Sequence, residues 1–179
     1  IEKCENQKKL ANETHVLITK NLSQISKKYN IKLVYISTDH IYDGKKSFYS
    51  EKDIPSPLNY YAETKLIGES EVLDASNKNL VIRTNFFGWT TSYQRNFASN
   101  IINLLLKNKK VDVFSDVYFT PVFISDLINI THNLIEHSAD GIFNISSNER
   151  LSKLDFAIKL AKKFKLKYNL INGNKKINV

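Results

Sequence analysis

The amino-acid sequence predicts an α/β protein built on parallel strands. Three features carry that reading. Short runs with an apolar centre, Leu-Val-Tyr-Ile at 33–36 and Asn-Leu-Val-Ile-Arg-Thr at 79–84, read as strands buried on both faces, unlike the alternating strands of a half-solvated antiparallel sheet. The segments around and between them have helical periodicity, which suits the crossovers that parallel strands require. Polar residues close the strands: Ser37-Thr38-Asp39 after the first and Asn85 after the second. The chain has 179 residues, 42% hydrophobic and 25% charged, enough for a core and unlike a disordered composition. No apolar run approaches the ~18–20 residues that span a bilayer, so no membrane association is expected.

Residues 8–29 carry Leu10, Thr14, Leu17, Ile18, Leu22 and Ile25 at helical spacing, ending in Lys27-Lys28-Tyr29-Asn30 as a stop. The first strand follows at 33–36, then a polar loop over 42–56. A second helix is expected to open with Ser56 as N-cap and Pro57 at the first helical position. It runs to about Ala75 with Leu58, Ala62, Leu66 and Leu73 inward. The strand at 79–84 precedes a helix at 96–107 bearing Phe97, Ile101, Leu104 and Leu105. Short strands at 111–114 and 121–124 lead into a helix from Ser125-Asp126 to about His137, then a strand over 141–146. Ser152 with Asp155 three residues on forms a capping box for a last helix to about Phe164.

The net charge of +8 is mostly local, because residues 151–179 hold eight Lys against the single Asp155. The chain has only three Arg, at 83, 95 and 150. Readers of bases and phosphates favour the bidentate guanidinium, so a solvated lysine face is expected and a nucleic-acid partner is not. Lone Cys4 cannot form an internal disulfide, which fits a reducing, cytoplasmic setting. His132 and His137 have no Cys or further His beside them, so no metal site is expected. The five glycines, at 44, 68, 88, 141 and 173, are too scattered to cradle a phosphate. A sequence without Met that opens on Ile1 is expected to lack its translated start.

Chemistry concentrates at the carboxyl ends of the strands, where open α/β sheets bind ligands. Thr38 and Asp39 follow the first strand, and Asn85, Phe86 and Phe87 follow the second. Tyr61 and Lys65 lie four apart on the intervening helix, so their side chains leave one face. A free phenol titrates near pH 10, and a neighbouring ammonium lowers that by ~1–3 units, into range for general acid–base work. A hydroxyl such as Thr38 can hold a carbonyl or alcohol oxygen against the phenol. The pair alone is a common surface motif. Thr38, 23 residues ahead of Tyr61, is what favours the catalytic reading.

With that arrangement in view, the chain resembles the extended short-chain dehydrogenase/reductases acting on nucleotide sugars, and among them the dTDP-4-dehydrorhamnose reductase-like branch. The matching segments are 33–44 (Leu-Val-Tyr-Ile-Ser-Thr-Asp-His-Ile-Tyr-Asp-Gly), Tyr49-Ser-Glu51, 55–59 (Pro-Ser-Pro-Leu-Asn) and 61–65 (Tyr-Ala-Glu-Thr-Lys) with Gly68-Glu69. They continue through Ile82-Arg-Thr84, Asn96-Phe97, Phe119-Thr-Pro121, Asp126-Leu127 and 141–146 (Gly-Ile-Phe-Asn-Ile-Ser).

The resemblance implies a partial Rossmann-type sheet over 1–88 that lacks its leading strands. It places a mainly substrate-binding region over 89–179, with a strand and helix returning to the first region at about 110–147. It implies that Tyr61 donates a proton, that Lys65 lowers the tyrosine pKa and holds the nicotinamide ribose, and that Thr38 binds the sugar oxygen. Ser37 and Asn85 are implied as further cofactor contacts; Asp39, Phe86, Asn96 and Phe97 as substrate contacts. For Phe86 and Phe97 a place in the core is an equal alternative. The implied cofactor is NADP or NAD, the partner a nucleotide-sugar, with a homodimer allowed. An epimerase, or a non-catalytic binding homologue, are the other readings.

Departures narrow this. His40 stands where dehydratases carry an acid, and Val117 and Phe119 where rhamnose reductases have Gln and Gly. His15 replaces a frequent Asn. The glycine-rich turn that holds the pyrophosphate in such enzymes has no counterpart in this chain, and a sheet without leading strands leaves a bare edge.

Overall fold

The computed structural model describes residues 1–89 and 96–176. They divide into two units, Ile1–Thr84 with Ile130–Ile145, and Asn85–Asn129 with Ser146–Val179. The first comprises helices α1 (Glu2–Asn6), α2 (Lys8–Asn12) and α3 (Ile18–Lys28), strand β1 (Val34–Ile36), helix α4 (Tyr60–Ala75) and strand β2 (Leu80–Thr84). The second begins with β3 (Phe86–Phe87), α5 (Phe97–Leu106), β4 (Val111–Phe114), β5 (Tyr118–Phe119) and β6 (Val122–Phe123). Helix α6 (Ile124–Glu136) contains the boundary and leads to β7 (Gly141–Ile145) of the first unit. β8 (Leu151–Ser152), α7 (Lys153–Lys163) and β9 (Ile171–Asn174) complete the second.

In the first unit β1, β2 and β7 form a parallel sheet in that order, with Ile36 opposite Ile82 and Ile82 opposite Phe143. All five residues of β2 are buried, as a central parallel strand requires. Asn79, itself buried, locks its start: the amide donates to the Val72 carbonyl at 2.8 Å and accepts from the Leu33 N–H at 2.9 Å. A buried amide with both ends partnered avoids the penalty of an unmet polar group.

The N-terminal helical run departs from its periodicity. A π-helical turn, Glu13–Leu17, separates α2 from α3 and rotates the face that meets α4. Ala11, Val16, Thr19, Ser23 and Ser26 are buried, while Leu10, Leu17, Ile18, Leu22 and Ile25 are about half exposed. Close packing of the helices decides this. A β-carbon on Gly68 of α4 would come within 2.4 Å of the Tyr35 hydroxyl and 3.0 Å of the His15 carbonyl. Helix α4 starts at Tyr60, later than Ser56 and Pro57 suggest, because Asn59 is the N-cap, accepting from the Ala62 N–H at 2.9 Å. Asn59 is extended, and its short amide satisfies a donor that the first turn would otherwise leave open.

In the second unit α5 and α7 pack on β4 through Ile101, Leu105, Val111, Val113, Ala157 and Ala161. Both helices carry capping boxes, Asn96 with Ser99 and Ser152 with Asp155. β4 pairs in parallel with β9, whose Asn- and Gly-rich sequence has no strand signal. The segment returning to the first unit is therefore only 130–145, not 110–147, and the cut falls at 84/85 instead of 88/89. Strand 111–114 stays in the second unit because its partner is there. β3 pairs with β6 in parallel, and β5 with β8 antiparallel. Among the described residues no helix is long and apolar enough to cross a membrane.

Candidate active site

In the first unit the end of β1 and the first turns of α4 bring Ser37, Thr38, Asp39, Tyr61 and Lys65 together. The chain leaves β1 through Ser37 and Thr38, both buried, and enters a 3-10 turn, Asp39–Ile41. Thr38 caps that turn, its hydroxyl oxygen accepting from the His40 N–H at 3.2 Å and lying 3.4 Å from an Asp39 carboxylate oxygen. Tyr61, in the first turn of α4, is half-buried. Burial pushes its phenol pKa up; the hydrogen bond with the Thr38 hydroxyl pulls it part of the way back, and the Asp39 carboxylate adds to the rise. The side chain is thus a protonated hydrogen-bond donor at neutral pH.

Lys65 differs from its expected role. Its ammonium donates to the Ile36 carbonyl at 2.7 Å and lies over the Tyr35 ring, 3.9 Å from the centroid. Burial lowers its pKa to about 8, with the Glu69 carboxylate opposing the shift. Lys65 does share the helix face with Tyr61, yet the phenol moves up, not down. Burial of the ring outweighs the benefit expected from the lysine charge, which is spent on the strand-end carbonyl and the Tyr35 ring.

Beneath these residues runs a buried ionic network that the sequence did not announce as such. Glu69, one turn after Lys65, meets Arg83 of β2 at 2.7 Å, with both groups almost inaccessible. Ser37 donates its hydroxyl to the same carboxylate. The Arg83 guanidinium also donates to the Tyr42 hydroxyl at 2.9 Å, and Tyr42 stacks on Tyr49 at 4.5 Å between centroids. Asn144 of β7 joins the Tyr49 carbonyl and the Tyr42 hydroxyl to this set. The Ser37 hydroxyl proton is therefore committed to Glu69, which removes it as a side-chain donor to a cofactor. The adjacency of Gly68-Glu69 to the Tyr61/Lys65 helix face was the one available signal.

Asn85, Phe86, Asn96 and Phe97 belong to the second unit. The Asn85 carbonyl accepts from the Val122 N–H at 2.9 Å. Phe86 is half exposed on β3. Asn96 is committed to structure: its side-chain oxygen caps α5 at Ser99 N–H, 2.8 Å, and its amide donates to the Gly88 carbonyl, 2.7 Å. Phe97 stacks on Phe156 at 5.9 Å and leaves part of its ring open. Phe119 is buried against Phe156 at 5.3 Å. Beside this cluster lies a pocket of about 500 Å³ lined by Phe87, Trp89, Phe123, Phe156 and Phe164. Its walls are mainly apolar, with Lys159 and Lys163 also on the lining. Among the described residues no cluster of three His, Cys, Asp or Glu side chains could hold a metal ion.

The end of β1 and the start of α4 thus gather a buried hydroxyl, a phenol that burial keeps protonated and a half-buried ammonium. The sequence model described as "RmlD substrate binding domain" matches residues 1–178. The chain belongs to that family, within the extended short-chain dehydrogenase/reductases. It is similar to a dTDP-4-dehydrorhamnose reductase from Bacillus anthracis solved in complex with NADP, with a TM-score of 0.91 and 28% identity, covering 98% of this chain and 62% of that one. It is 30% identical over 169 residues to methionine adenosyltransferase 2 subunit beta of Rattus norvegicus, covering 90% of this chain and 51% of the relative. It is also 30% identical over 141 residues to a dTDP-4-keto-6-deoxy-D-glucose reductase of Streptomyces niveus, covering 77% and 48%. The chain spans about half the length of these curated relatives.

Proposed function

We propose that this chain carries the proton-transfer part of an NAD(P)-dependent reductase of a nucleotide-activated keto-sugar. The observation that carries the reading is the meeting of the buried Thr38 hydroxyl and the half-buried Tyr61 phenol at the end of a parallel strand, with Lys65 one turn further along α4. The phenol, kept protonated by burial, donates its proton to the substrate oxygen as the carbonyl becomes an alcohol. Thr38 orients that oxygen. The nicotinamide, when bound, supplies the hydride to the carbonyl carbon.

The residues present fit such a cofactor in part. Lys65 holds a carbonyl at 2.7 Å through one of its three donors, which leaves others for a ribose hydroxyl. No glycine-rich cradle for the pyrophosphate occurs among the five glycines. The family likeness to an NADP-bound reductase supports the cofactor class.

The test is oxidation of NADPH or NADH by the protein with a panel of keto-sugar nucleotides. Tyr61→Phe is expected to lower kcat by about 10²–10⁴-fold. Tyr61→Phe with unchanged turnover sinks the assignment. A second reading, a non-catalytic subunit, draws on the similarity to an adenosyltransferase subunit beta. It predicts no turnover on any panel member, with nucleotide binding retained.

A further inference from the structure

The fold brings His15 to Tyr61 across 46 residues of sequence. It sits in the π-helical turn Glu13–Leu17, a local widening that turns its side chain toward α4, and π turns of this kind recur at functional sites. Its Nδ1 lies 2.9 Å from the Thr64 hydroxyl. That hydroxyl donates its one proton to the Tyr61 carbonyl, also at 2.9 Å. The Thr64 oxygen is therefore an acceptor toward the histidine, and Nδ1 carries the hydrogen. Nε2 is left with its lone pair. The ring meets the Tyr61 ring edge to face, centroids 5.5 Å apart at 82°.

We propose that His15 is a positioning residue of the Tyr61–Lys65 pair: Thr64 fixes its Nδ1–H tautomer, its ring buttresses the phenol, and a proton taken up at Nε2 sets a second cation beside Lys65. The proposal rests on the reductase reading for its catalytic consequence, but not for its structural one. The groups facing the His15 ring are Tyr61 and Lys65 of α4 and the α-amino group of Ile1, while the Tyr35 hydroxyl lies across Gly68 from the His15 backbone carbonyl. His40 and Cys4 flank the same phenol. Burial, and then the Lys65 charge, push the imidazole pKa below its usual 6.5, so the ring is neutral in the working state. Interacting sites shift each other reciprocally, so His15 protonation also disfavours the Lys65 ammonium.

Two measurements test this. In the chain itself, ¹⁵N NMR of the imidazole is expected to show the Nδ1–H tautomer and a pKa below 6.5. Thr64→Val is expected to release the tautomer, and Lys65→Met to raise the pKa where Lys65→Arg does not. A predominantly Nε2–H ring, or a pKa unmoved by Lys65→Met, overturns the proposal whether or not the protein is a reductase. In the enzyme assay, kcat is expected to fall several-fold as the pH drops through the His15 pKa. His15→Ala is expected to lower kcat several-fold. His15→Asn, which keeps a donor for Thr64, is expected to recover most of that loss and to remove the acid limb. An acid limb unchanged in His15→Asn also overturns it. Absence of turnover in the unmodified protein counts against the reductase reading, and the NMR arm still decides the placement of His15.

Discussion

In the first unit the strand ends are held by charge and hydrogen bonds, whereas in the second they are held by packed aromatic rings. Glu69 and Arg83 link α4 to β2, and through Ser37 and Tyr42 they reach the turn after β1 and the loop after it. Phe97, Phe119 and Phe156 do the corresponding work for α5, β5 and α7, with centroids 5.3–6.4 Å apart. Directional polar contacts can hold a hydroxyl and a phenol in register, at the cost of leaving a buried charge stranded if one partner goes. Ring packing tolerates adjustment but specifies orientation less sharply. Thr38, Tyr61 and Lys65 stand on the directional kind.

The sharpest way to break this contrast is Glu69→Gln, which leaves the Arg83 guanidinium buried without a counter-charge. Unfolding in urea is expected to show a loss of about 3–5 kcal/mol, partly recovered when Arg83 is changed to Met as well. A loss under 1 kcal/mol would mean the network is incidental. Phe156→Ala in the second unit should cost a similar amount, toward the lower end of about 3–5 kcal/mol, because Phe87, Phe97 and Phe119 can close on the space. Unlike the first variant, its penalty should not change with pH. Ser152→Ala, which removes one half of a capping box, should cost about 1 kcal/mol, read from the same denaturation curves.

A further effect, spread over a pH window, concerns Lys65, and its sign follows from proton counting. Its pKa is about 8 in the fold against 10.5 when free. Between about pH 8 and 10.5 the unfolded chain binds more protons, so stability rises with pH across that window. Lys65→Met should flatten the rise. A slope that persists in the variant would assign it to another group.

Much of the architecture was legible beforehand, and the misses share a cause. The parallel strands after residues 32 and 78, and the cap at Ser152, follow from local pattern and backbone chemistry. Four short strands were not, because two-residue pairings such as Phe86–Phe87 with Val122–Phe123, and the Asn-Gly-Asn run of β9, take their conformation from a partner. At the site, the shared face of Tyr61 and Lys65 follows from helical spacing. The competition for Ser37 and Asn96 by Glu69 and by Ser99 with Gly88 does not.

What the sequence alone determined is therefore the alternation of strand and helix and the residue types delivered to the strand ends, since both depend on neighbours within a few positions. Tertiary structure decided which face of the N-terminal helices is buried, through a π turn and the close approach at Gly68. It also decided what sets the Tyr61 proton. Burial, the Thr38 hydroxyl and the Asp39 carboxylate act on that phenol, and His15 reaches its ring from 46 residues away. Electrostatic surroundings depend on distances across the fold, and those exist only once the elements have packed.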